Sequence, residues 1–193
     1  VVTAPAEEPM SLDEAKAQIR RDEDFVADDA LITQLIQAAR EQVETYTERA
    51  LITQTLDLYF DGPPDGSVLF VPKPKLQSVT SVTTYDTADA ATVLSSSNYL
   101  VDVASEPGRI VLDSGVSWYT TSLRDVNGLV VRAVCGYGGR SAVPQAIKQA
   151  MALLISTLYE HREQVVISQF AGQFIDLPYG IKQLLDPYRL WVR

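Results

Sequence analysis

The repeat length of the apolar residues changes twice along this 193-residue chain, and that double switch limits the possible folds more than any other feature. After Asp28-Asp29, residues Leu31, Leu35, Ala38, Ala39, Val43 and Tyr46 recur at three- and four-residue spacing, with Ile32 and Ile36 widening the stripe. That spacing predicts a long amphipathic helix to about Ala50. From Leu51 the spacing drops to two, and Thr53-Gln54-Thr55-Leu56-Asp57-Leu58-Tyr59-Phe60 alternates in strand-forming residues. Past Ser141-Ala142-Val143-Pro144 the helical period returns through Ile147, Ala150, Met151, Leu154, Leu158 and Tyr159. A helix with one apolar stripe must bury it against another element. The two outer helical segments are therefore predicted to pack on each other, with the strands between them as an insertion.

Local signals fill in this frame. Ser11-Leu12-Asp13-Glu14 has the form of a capping box, and Leu12, Ala15 and Ile19 carry a short helix to about Arg20. The run Arg21-Asp22-Glu23-Asp24 ends it, and one of the paired acids Asp28 and Asp29 is a natural cap for the next helix. Further strands are expected at 68–71, 79–85, 99–103, 109–112 and 129–134. Turn clusters such as Asp61-Gly62-Pro63-Pro64-Asp65-Gly66, Pro107-Gly108 and Asn127-Gly128 separate them. Gly136-Tyr137-Gly138-Gly139 reads as a hinge or turn, because it lacks the Gly-Lys-Ser/Thr ending of a phosphate cradle. Residues 164–176 read as a loop or short hairpin. Pro178 opens a last helix, and Asp186-Pro187 ends it.

The predicted class is α+β: a small helical bundle with an inserted antiparallel β-sandwich or barrel. The expected parts are a flexible arm at 1–10, a helical domain at 11–52 with 141–187, a β domain at 53–140, and a tail at 188–193.

Chemistry is sparse. No apolar run approaches the roughly 18 to 20 residues of a membrane span, and Val1-Val2-Thr3-Ala4-Pro5-Ala6-Glu7-Glu8 lacks the pattern of a signal peptide. Synthesis in the cytoplasm is the expectation. With one cysteine and one histidine, an internal disulfide or a histidine-based metal site is not available. Cys135 lies in an apolar run and reads as core, while His161 sits at a charged helix end without an identifiable catalytic partner. No metal-ligand spacing, nucleophile elbow or Ser/His/Asp set is present, so neither catalysis nor a cofactor is expected. The net charge of −9 opposes duplex-DNA binding. Residues 1–50 carry twelve acids against five bases, so most of that charge lies in this first part. Tyr188, Arg189, Leu190 and Trp191 follow a proline at the chain end and are residue types enriched at binding hot spots. They read either as a tail packed on its own domain or as an anchor for a partner protein.

Four segments, in order, resemble the head–tail connector (adaptor) proteins of long-tailed bacteriophages, in the version with a β insertion. They are Met10-Ser11-Leu12-Asp13-Glu14-Ala15-Lys16 with Asp28-Asp29-Ala30-Leu31-Ile32; residues 38–54, from Ala38 through Tyr46 to Gln54; residues 143–163, from Val143-Pro144 to Tyr159-Glu160-His161-Arg162-Glu163; and residues 177–189, from Leu177-Pro178 to Tyr188-Arg189. The resemblance implies a subunit of a ring, typically dodecameric, in the virion beneath the portal. Such a ring extends the DNA channel without binding DNA specifically and presents a platform to neck or tail-completion proteins. It also implies that the tail grips the portal, a role carried here onto Tyr188, Arg189, Leu190 and Trp191. On this reading the acids Asp22, Glu23, Asp24, Asp28 and Asp29 are candidates to face the channel and repel phosphates. The competing expectations are a tail-completion protein contacting the tail tube and, from another class, a DNA-packaging accessory protein.

Overall fold

The computed structural model describes residues 1–119, 122–160 and 179–190. The chain divides into two compact units, one formed by 1–6, 48–138 and 190–193, the other by 7–47 and 139–189.

The second unit is helical: α1 (Leu12–Gln18), α2 (Asp29–Thr47), α3 (Gln145–Glu160) and α4 (Tyr179–Leu185). The capping box forms, with Glu14 N–H donating to Ser11 Oγ at 3.0 Å and Ser11 N–H to Glu14 Oε2 at 2.7 Å. The far end of α1 closes by a different device from the expected acidic run. Arg20 adopts φ 56°, and the N–H groups of Arg20 and Arg21 donate back to the carbonyls of Ala17 and Lys16. This double bond around a left-handed residue is the Schellman arrangement.

The buried line of α2 is Ile32, Ile36, Ala39, Val43 and Thr47. The stripe read from sequence is thus rotated slightly: Leu31 and Leu35 flank it and Ala38 is exposed. Spacing alone defines a wide apolar arc, and only packing selects its centre. α2 packs on α3, whose buried residues include Ile147, Met151, Leu154 and Ile155, and Ile181 and Leu185 of α4 are buried in the same unit. After α4 a 3-10 turn, Asp186–Tyr188, extends the chain by one step where an end was expected. Pro187 fits at the start of that turn, where its missing N–H has no partner to lose.

The first unit holds two antiparallel sheets. Its strands are β1 (Gln54–Phe60), β2 (Val68–Phe70), β3 (Leu76–Tyr85), β4 (Ala91–Val93), β5 (Tyr99–Asp102), β6 (Arg109–Leu112) and β7 (Leu129–Cys135). The four-stranded sheet has the order β1-β7-β3-β4, and the three-stranded one β2-β6-β5. Alternate residues of both point into one core: Leu56, Val82, Leu129, Val131 and Ala133 from one sheet, Leu69, Tyr99, Ile110 and Leu112 from the other. Trp118 closes it, with Nε1–H donating to the Gly66 carbonyl at 2.8 Å. The class is α+β as expected, and the sheets do not close into a barrel. Strand β4 escaped the sequence reading because Ala91, Thr92 and Val93 are all exposed and offer no alternation. β3 begins three residues earlier than expected, and two register shifts against β7, at Leu76/Ser78 and Val79/Ser81, break its pattern there.

The first ten residues, expected as a flexible arm, make specific contacts. Within the β unit, Val2 and Thr3 N–H groups donate to the Thr55 carbonyl and Thr55 N–H to that of Thr3. Within the helical unit, Glu8 pairs with Arg40 at 2.8 Å and Met10 is buried.

Candidate assembly surfaces

The tail leaves the helical unit at a built junction. The Tyr46 hydroxyl, near the end of α2, donates to Asp186 Oδ1 at 2.5 Å, and the Arg189 guanidinium lies over the Tyr46 ring, 5.2 Å from its centroid. The bond to Asp186, followed by partial desolvation, raises the Tyr46 phenol above its ordinary range, since it favours the protonated donor. Tyr188 is half-buried, Arg189 exposed and Leu190 half-buried. Trp191 lies outside the described residues, as do His161, Pro178 and the segment 164–176. In sequence, Tyr46 is one more residue of the apolar stripe. A tyrosine at the stripe's edge, where the phenol can reach a polar partner, was the available signal.

The five candidate channel acids divide into two sets. Asp28 and Asp29 belong to a charged cluster inside the helical unit. Lys16, only 3% exposed, sets Nζ 2.7 Å from Asp29 Oδ1 and donates to the Glu23 carbonyl at 3.0 Å. Tyr159 of α3 donates to Asp28 and accepts from Arg21 Nε at 3.1 Å, and the Arg21 guanidinium also sits over the rings of Phe25 and Tyr159. The lysine stem and the aromatic rings supply apolar packing, and the ionic heads meet at the loop between α1 and α2. Asp22, Glu23 and Asp24 stand out from that loop, exposed. The clamp thus fixes the loop from which three adjacent negative charges project. In sequence Lys16 carries no role, Arg21 belongs to the run that ends the first helix and Tyr159 to an apolar stripe, because the partners that join them lie in other elements.

Among the described residues no group of three or more His, Cys, Asp or Glu side chains is placed to hold a metal ion. Cys135 is fully buried, and desolvation pushes its thiol up to about 11, so the nucleophilic thiolate is suppressed at neutral pH. No described helix is long and apolar enough to cross a membrane.

Comparison with known proteins adds three findings. A family model described as head completion protein matches residues 10–191. No curated protein matches the sequence. Solved structures share the fold. A chain from the neck of an empty GTA particle, computed with C6 symmetry, is 23% identical with a TM-score of 0.73, covering 96% of this chain and 91% of that one. A chain from the virion of the native gene transfer agent (GTA) particle is 20% identical with a TM-score of 0.73, covering 100% and 97%. A chain from the neck of the native particle, computed with C12 symmetry, is 24% identical with a TM-score of 0.66, covering 99% and 94%.

Proposed function

This chain belongs to the head completion protein family, a structural component of phage-like particles, and from that premise we propose that it is a ring subunit of the head–tail neck that docks beneath the portal. The family match over residues 10–191 carries this reading. The likeness to neck chains computed with C6 and with C12 symmetry supports a ring, and the C12 case agrees with twelve copies. A ring subunit needs two different contact faces and a rotation that closes, and no chemistry beyond that. The protein therefore acts without catalysis and without a cofactor, in the virion, after synthesis in the bacterial cytoplasm.

The tail, Tyr188 with Arg189, Leu190 and Trp191, grips the portal. Its root at Tyr46 and Asp186 supports this role, because a fixed exit point lowers the entropy lost when a tail orders on a partner. The ring extends the DNA channel and offers its other side to a neck or tail-completion protein. The channel wall is assigned to Asp22, Glu23 and Asp24, while Asp29 pairs with Lys16 and Asp28 accepts from Tyr159. Negative charge on that wall repels phosphate and lets DNA slide.

Deleting residues 188–193 tests the tail assignment. The truncated protein is expected to stay folded and soluble, yet to be missing from portal-containing particles. Normal incorporation would refute the anchor role, and capture by purified tail tubes in place of portal would favour the tail-completion reading.

A further inference from the structure

The β unit exposes apolar side chains in ordered rows, on both outer faces of the sandwich. On the three-stranded sheet Val68, Val111 and Leu100 are cross-strand partners in one row. The next row on that face is Phe70, Arg109 and Asp102, by the same register. Leu100 is 69% exposed and Phe70 55%. On the four-stranded sheet Tyr59, Val130, Thr83 and Val93 form a row across β1, β7, β3 and β4. Asp57 and Arg132 lie in the neighbouring row, two residues along. Tyr59 is 59% exposed and Val93 64%. Isolated surface valines and leucines are ordinary, but here the exposed Leu100, Tyr59 and Val93 continue rows of half-buried Val68, Val111, Val130 and Thr83.

The two faces also match in charge. Each pairs a central-strand arginine with an edge-strand aspartate: Arg109 Nε with Asp102 Oδ2 at 2.8 Å, and Arg132 with both oxygens of Asp57 at 2.7 and 2.8 Å. Both arginine side chains remain 45% exposed. An apolar row flanked by an Arg–Asp pair thus occurs once on each side of the same sandwich. When the two faces meet, apolar row can cover apolar row, and each arginine can bridge to the carboxylate opposite. A single foreign partner would need only one such face. Two such faces on opposite sides of one unit suit a head-to-tail contact between identical subunits, with each Arg–Asp pair opened to exchange partners across the seam.

We propose that neighbouring copies of this chain pack through the β unit, the outer face of the three-stranded sheet of one copy against the outer face of the four-stranded sheet of the next. This rests on the ring reading above and names the surface that closes the ring.

The test uses the full chain under conditions where rings form. Cys135 is buried, so introduced thiols report alone. Leu100→Cys is combined with Val93→Cys, and separately with Tyr59→Cys, and each double variant is treated with a short flexible bismaleimide. A ladder of covalent oligomers from at least one double variant, absent from all three single variants, is the expected result. Leu100→Asp should raise the concentration needed for ring formation at least tenfold. Val126→Asp, at an exposed valine in the loop before β7, should leave it unchanged. Rings seen by native mass spectrometry with no ladder from either double variant would overturn the β contact and leave the ring reading standing. Covalent dimers from Leu100→Cys alone would overturn it too, since like faces would then be meeting. Absence of rings from the unmodified protein at every concentration and with portal present would overturn both.

Discussion

Replacing Lys16 by methionine tests whether the clamp at the α1–α2 loop holds the helical unit together. Methionine keeps the stem's length and apolar contacts while deleting the ammonium. An ion pair with Asp29 Oδ1 at 2.7 Å and a charge-assisted hydrogen bond to the Glu23 carbonyl at 3.0 Å are lost. Removing one partner of a fully buried ion pair costs about 3–5 kcal/mol. Asp29 Oδ1 is itself buried, but the side chain as a whole is 31% exposed, so water reaches the rest of the carboxylate; Asp29 also lies at the start of α2, where the helix dipole favours a negative charge. The expected loss is therefore about 2–3 kcal/mol. For a chain of this length that corresponds to a fall in melting temperature of roughly 5–10 °C. Urea unfolding followed by far-UV circular dichroism measures it, with hydrogen exchange at the first turn of α2 reporting the local part. The double variant Lys16→Met with Asp29→Asn should recover about 1 kcal/mol or more, since it removes the stranded charge. A change within about 0.5 kcal/mol for Lys16→Met, the usual range of surface substitutions, would refute the reasoning.

Three other perturbations bear on the two units. Gly136→Ala places a Cβ 2.5 Å from the Ile52 carbonyl oxygen at φ 130°, so it should destabilise the β unit by about 2–4 kcal/mol in thermal unfolding. Tyr46→Phe removes the bond to Asp186 and should cost about 0.5–1 kcal/mol. The same bond contributes in full below pH 10 and is lost as pH rises through the raised pKa of Tyr46, so only the unsubstituted protein should show added loosening of α4 in strong alkali. Asp102, held to about 2 chiefly by bonds from Ser105 and Arg109, stabilises the β unit above pH 3.8 and loses that contribution as pH falls through 2. A carboxyl NMR titration midpoint near 2 is expected, and one at or above 3.8 would contradict the ion pair.

Legibility in the sequence followed the reach of each signal. The capping box of Ser11 and Glu14 uses residues three apart and was readable outright. The long helices and most strands were readable too, because burying one face imposes a period. The exposed edge strand β4 buries nothing and left no mark. Arg20 in the left-handed region was hidden for another reason: that position is usually glycine, and nothing in an arginine advertises it. The candidate surfaces were half visible. The acidic bias of residues 1–50 was plain in composition, but the separation of Asp28 and Asp29 from Asp22, Glu23 and Asp24 depends on Tyr159, 131 residues from Asp28. The paired rows on the β sandwich depend on strand register, which no single strand encodes.

The most direct test of the central claim is cryo-electron microscopy of the full-length protein mixed with the portal of its own particle. A closed ring stacked on the portal is expected, with residues 188–191 buried at the junction and Asp22, Glu23 and Asp24 facing the channel. A protein that leaves the portal bare and caps tail tubes, or a ring that carries those three acids on its outer rim, would contradict it.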